Sequence, residues 1–145
     1  MGLKTNLQRF LEAQKKDYQV ALSEIQMGKK RSHWMWYIFP QISGLGFSDL
    51  SKFYSLNNMD EAKEYLKHPV LGSRLIEISD ALLHLENKDA HAILGSPDDQ
   101  KLKSCMTLFS LLPESDPVFQ AVLDQFFDGE NDARTVEILK LQKKT

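Results

Sequence analysis

The chain has 145 residues, 42% of them apolar and 26% charged, the make-up of a soluble globular protein long enough to bury a core. Its net charge is −2 and it holds one cysteine, Cys105; this argues against a nucleic-acid binder and excludes an internal disulfide or a cysteine-rich zinc site. No apolar run approaches the ~20 residues that span a bilayer, and Met1 to Asn6 lack both the apolar core of a signal peptide and the hydroxyl of a myristoylation motif, so a cytoplasmic location and one helical domain over residues 1–145 are expected.

The apolar residues recur at helical spacing almost everywhere. Leu7, Phe10, Leu11, Tyr18, Ala21, Leu22 and Ile25 predict a helix over about residues 3–27, with Gln14 the one polar break in the stripe and Gly28 the stop. Ser32 is placed to cap a short aromatic helix that Pro40 ends. Gly44 and Gly46 mark a loop, Ser48 a cap for a short helix carrying Leu50, Phe53 and Tyr54, and Asn57 or Asn58 a cap for the next, with Asp60 and Glu61 in its first turn. His68-Pro69, Ser96-Pro97 and Asp116-Pro117 each set a proline at an expected first helical position. The helices that follow carry Leu71, Leu75, Ile78, Leu82 and Leu85; Leu102, Met106, Phe109 and Leu112; and Val118, Ala121, Val122 and Phe126, closed by Gly129. A short helix over 89–94 ends at Gly95, and a last one starts near Asp132 with Val136, Leu139 and Leu141 on its inner face. The nearest strand candidate, Met35–Phe39, has no partner to make a sheet. The fold class is therefore all-α, a bundle of about seven or eight helices with no sheet.

Chemistry concentrates in Lys29 to Gln41. Lys30 and Arg31 can hold an anion, Arg31 in bidentate fashion, and Trp34 and Trp36 can stack on a ring. The plainer explanation is that the cations finish the first helix and the aromatics fill the core. His33 and His68 are the candidate acid or base, each with an ordinary alternative as a cap or a half-buried ring. Lys101, Ser104 and Thr107 fall at three-residue steps along one helix face, a strip that suits an anionic ligand. An Asp98–Lys101 surface pair and hydroxyls bonded back to their own helix explain the same strip without a ligand. Cys105 lies with Leu102, Met106 and Phe109 and is expected to be a buried, inert thiol. The chain shows no glycine-rich phosphate loop, His-Glu-x-x-His or Gly-x-Ser-x-Gly, and no metal site is expected.

Several pieces taken together resemble a bacterial family known as domain of unknown function 1810. They are Lys30 to Trp36, Ile38-Phe39-Pro40-Gln41, Gly44-Leu45-Gly46, Glu61-Ala62 with Tyr65-Leu66, His68 to Leu75, and Lys101-Leu102-Lys103-Ser104 with Met106 to Phe109. Tyr37 stands where the family pattern has Phe, and Cys105 where it has Ser. The resemblance implies an all-helical fold and no known activity or cofactor. The label calpastatin, sometimes attached to such proteins, does not suit a chain with core-forming helices throughout, because calpastatin is disordered. The motifs also single out Arg74, besides Arg31, His33, His68 and Lys101. If these converged they would make a cationic, aromatic-walled pocket for a phosphorylated or nucleotide-derived small molecule. Lys30, Arg31, Arg74, Lys101 and Ser104 would hold the anion, Trp34 or Trp36 would stack, and His33 or His68 would move a proton if a reaction occurs. The alternative is a non-catalytic interaction or adaptor domain, which predicts an exposed apolar patch.

Overall fold

Short polar side chains explain where many of the helices begin. In a computed structural model, which describes residues 7–143, the order is α1 Gln8–Gln26, α2 Met35–Ile38, α3 Asp49–Phe53, α4 Met59–Lys67, α5 Leu71–Leu83, α6 Ala90–Leu94, α7 Asp98–Ser110, α8 Val118–Phe127 and α9 Ala133–Lys143. Ser48 Oγ accepts from Ser51 N at 3.1 Å, Asn58 Oδ1 from Glu61 N at 2.9 Å, Asp89 Oδ1 from His91 N at 3.0 Å, and Asp132 Oδ2 from Thr135 N at 2.9 Å. Each satisfies an amide that the first helical turn leaves free. Gly95 follows α6 at φ +81°, where a side chain would be strained.

The all-α class holds, with nine helices and no strand among the described residues. The start expected at residues 3–6 lies outside the described residues. Ser32 does not cap α2: Trp34 takes that position and Ser32 turns to Glu24 instead. Pro97 and Pro117 stand just before their helices, and Pro69 lies in the turn ahead of α5. Met35–Phe39 is helical up to Ile38, and the nearest thing to sheet is an isolated parallel bridge between Ile42 and Leu56. On α9 the buried side chains are Thr135 and Leu139, whereas Leu141 is exposed.

The buried apolar residues form one cluster. Within it α5 packs on α1, α4 and α8, and α7 packs on α4, α6, α8 and α9. Phe10, Tyr65, Phe109 and Phe119 form a run of rings through the core, with neighbouring centroids 5.1–5.7 Å apart. The turn from α4 to α5 is tight enough that a Cβ on Gly72 would stand 1.9 Å from the Leu66 carbonyl oxygen. Gln14, the polar break in the α1 stripe, is buried and fully used: its amide donates to Tyr37 O (2.8 Å) and Tyr65 Oη (3.0 Å) and accepts from Arg74 (3.3 Å).

Candidate functional site

The basic-aromatic segment is shaped by a carboxylate on α1. Glu24 is buried, and its Oε1 accepts from Arg31 N (2.8 Å), Ser32 N (3.0 Å) and Trp34 Nε1 (2.9 Å) while Oε2 accepts from Ser32 Oγ (2.6 Å). Burial opposes the charge, but these four donors outweigh it and hold the pKa down at about 2. The turn over residues 29–34 is thereby clamped. Lys30 and Trp34 face inward, and Lys29, Arg31 and His33 face solvent.

Asp98 then links two lysine–tryptophan pairs. Lys30 Nζ lies 5.1 Å from the Trp34 ring and 2.9 Å from Asp98 Oδ2. Lys101 Nζ lies 3.3 Å from Asp98 Oδ1 and 4.6 Å from the Trp36 ring. Trp34 is fully buried and Trp36 half-buried. One indole therefore belongs to the core and the other reaches a cleft.

That cleft is one of two that adjoin across the Gly44-Leu45-Gly46 loop, each of about 320 Å³. Leu45, Gly46, Gln41 and Ser51 belong to both linings. The first gathers the aromatic side chains Trp36, Phe47 and Tyr54 with Ile42 and Leu45. The second is lined by Gln100, Lys101 and Ser104 of α7 and by Asp132 and Arg134 at the start of α9. Arg134 also donates to the Gly44 carbonyl at 3.3 Å. The outer wall is an Ω-loop of residues 43–55, whose ends are joined by Ser43 N to Leu56 O and Leu56 N to Gln41 O, both 2.8 Å. Its helix, α3, buries no side chain, and Phe47, Leu50 and Phe53 are 83%, 49% and 55% exposed. Arg9 holds the loop's far end: Nε donates to Phe53 O at 2.7 Å, Nη2 donates to Ser55 O at 2.8 Å, and Nη2 lies 3.6 Å from the buried Glu61 carboxylate.

The candidates from sequence therefore separate. Trp36, Lys101 and Ser104 meet at the clefts, and Lys30 and Trp34 stand behind them through Asp98. Arg31 and His33 lie on the outer face of the clamped turn and line neither cleft. Arg74 is on another side of the bundle, 5.0 Å over the Tyr18 ring, where Tyr18 bonds to Glu77. Burial and that bond push the Tyr18 phenol well above its ordinary range. His68 Nδ1 accepts from Val70 N (3.0 Å) and Leu71 N (3.2 Å), so this imidazole caps α5 with its proton on Nε2. Ser104 and Thr107 both bond back to α7, to Gln100 O (3.1 Å) and Lys103 O (2.8 Å). Cys105 is fully buried, and burial pushes its thiol up, away from nucleophilic use. Tyr37, the departure from Phe, uses its hydroxyl on Asp17.

Sequence reasoning did not single out Glu24 or Arg134, named Gln41 only within a family motif, and read Asp98 as a surface partner of Lys101. Glu24 left a signal: it is the acid on the buried stripe of α1, beside Ile25 and three residues past Ala21. Gln41 left one only through its family motif, and Arg134 left none, since its importance comes from the loop that meets it. Among the described residues there is no cluster of His, Cys, Asp or Glu able to hold a metal, and no helix long and apolar enough to cross a membrane.

An all-helical bundle with a basic-aromatic turn packed behind a small polar cleft is the class this architecture defines. The chain belongs to the family described as protein of unknown function (DUF1810), whose pattern matches residues 4–139. The crystal structure, at 1.38 Å, of the conserved hypothetical protein Rv1873 from Mycobacterium tuberculosis is similar: 40% identity over 93% of this chain and 96% of that one, with a TM-score of 0.91. No protein of curated function matches the sequence.

Proposed function

We propose that this protein binds a small anionic molecule in the paired clefts beside Gly46. The observation that carries the reading is that Lys101 and Arg134, from two different helices, line one cleft together with Ser104 and Gln41. The lining residues also include much of what carries the family resemblance: Trp36, Gln41, Leu45, Gly46, Lys101 and Ser104. Packing accounts for the buried Trp34, and Asp98 and the Trp36 ring hold Lys101, but among the described residues no bond of the fold uses the Gln41 amide at the cleft wall. Charge-assisted bonds from an ammonium and a guanidinium are the strong contacts available to a carboxylate or phosphate there. No catalytic step is assigned, because His33 and His68 are absent from both linings. Titration calorimetry with inorganic phosphate and acetate tests the reading. Lys101→Met and Arg134→Met should each weaken binding at least about fivefold, the size of a lost charged contact, with thermal stability retained. Unchanged affinity in both variants, or no binding to the parent protein, counts against it.

One observation favours a second reading, a protein-docking surface: Phe47, Leu50 and Phe53 are exposed at three-residue steps along and beside α3. If that reading holds, serine at Leu50 and Phe53, which line neither cleft, abolishes partner binding and leaves anion binding intact.

A further inference from the structure

We infer that the ligand is a two-part molecule: a head carrying one negative charge, joined to a flat, largely apolar body that lies in the neighbouring cleft. This rests on the reading of the clefts as a binding site and names the class of molecule they fit.

The two clefts differ in chemistry. The α7–α9 cleft has two cations, but each positive charge is not equally free. Lys101 is already 3.3 Å from Asp98, and Arg134 meets only the neutral Gly44 carbonyl among the contacts found. Asp132 stands in the same lining. Lys30 shares Asp98 with Lys101, so three cations, Lys30, Lys101 and Arg134, stand against two carboxylates, Asp98 and Asp132, and one positive charge is left over, which suits a carboxylate or phosphodiester. A polyphosphate would set its extra charges against Asp132 and Asp98, which repel them.

The other cleft gathers the aromatic side chains Trp36, Phe47 and Tyr54 with Ile42 and Leu45, alongside the uncharged polar residues Ser43, Ser51, Ser55 and Asn57, and Lys52 is its one charged lining residue. Three aromatic side chains in one cleft lining favour a planar ring, by stacking. Phe47 lines this cleft and yet is 83% exposed; a ring bound there supplies the apolar neighbour it lacks. Between the two halves lies Gln41, in both linings. Its amide makes no hydrogen bond with the described residues, so a donor and an acceptor stand ready for a polar atom where head joins body. The shared lining residues set the geometry: a molecule crossing over Leu45 and Gly46 touches both clefts at once, and its second part binds with the first already in place.

The test uses the full chain and five probes by titration calorimetry: acetate, naphthoate, inorganic phosphate, cyclic AMP and ATP. Naphthoate is expected to bind at least about tenfold tighter than acetate, and cyclic AMP at least about tenfold tighter than phosphate, the gain that stacking one ring typically brings. ATP is expected to bind no tighter than cyclic AMP. In Phe47→Ser the ring-bearing probes should lose most of that gain while acetate and phosphate are unaffected. A ring gain below about threefold for both pairs overturns the inference, as does ATP binding tenfold tighter than cyclic AMP. Lys101-dependent binding of acetate or phosphate with no ring gain refutes only the two-part ligand. Absence of binding by all five probes refutes the site itself.

Discussion

Glu24→Gln isolates what the buried carboxylate does for the basic-aromatic turn. The substitution keeps the shape and keeps one oxygen for the Arg31, Ser32 and Trp34 donors, while Ser32 Oγ can rotate to accept from the new amide. What is lost is the charge. The carboxyl titrates at about 2 in the folded protein against an ordinary 4.5. At pH 7 that difference is worth roughly 3 kcal/mol of folding stability. Because the folded-state value is the lower one, the contribution is complete well above pH 4.5 and fades as the pH falls toward 2. Urea unfolding of parent and variant at several pH values reads it directly. The variant should be less stable by about 3 kcal/mol at pH 7, and less than half of that gap should remain at pH 3. Other carboxylates titrate in both proteins, so the gap, not either curve alone, reports Glu24. A gap that is the same at pH 7 and pH 3, or below ~1 kcal/mol at pH 7, would refute the claim that a charged Glu24 holds the turn.

Other substitutions probe the supports around the clefts. Arg9→Met leaves the Glu61 carboxylate buried beside a vacated guanidinium site and should cost about 3–5 kcal/mol in urea unfolding; Arg9→Met/Glu61→Leu should recover only part of it, because the bonds to Phe53 O and Ser55 O stay lost and Asn57 N loses its acceptor. Gly72→Ala drives a Cβ into the Leu66 carbonyl; a loss of about 3 kcal/mol or more in thermal or urea unfolding is expected. His68→Ala removes the acceptor for Val70 N and Leu71 N and should cost about 1 kcal/mol, with His68→Asn restoring most of it; full stability in the alanine variant would show that the cap is idle. Acrylamide should quench Trp36 and spare Trp34, which is 1% exposed, so Trp36→Phe is expected to leave emission that the quencher hardly reaches.

The sequence by itself determined the elements that depend on near neighbours. The apolar stripes at helical spacing, the caps at Ser48 and Asn58, the helix starts at Asp89 and near Asp132, and the glycine stop after α6 depend on groups within a few residues, so they could be read from the chain. So could the family, because its motifs are short and ordered. The boundaries of α2 and of the proline-led helices were less legible, since Ser32 had a choice between its own helix and a carboxylate eight residues back. The candidate site was legible only in part. Trp36, Lys101 and Ser104 stood out by type and spacing, but so did His33 and His68, and the family motifs added Arg74; the packing sends these three elsewhere. What decided between them is separation in space, not along the chain. Lys30 and Lys101 share Asp98 because α6 and α7 fold back against the turn, and Arg134 reaches the Gly44 carbonyl across ninety residues because α9 packs on α7. No periodicity encodes such meetings; they follow from which helix faces bury against each other, and that is settled only when the whole core forms.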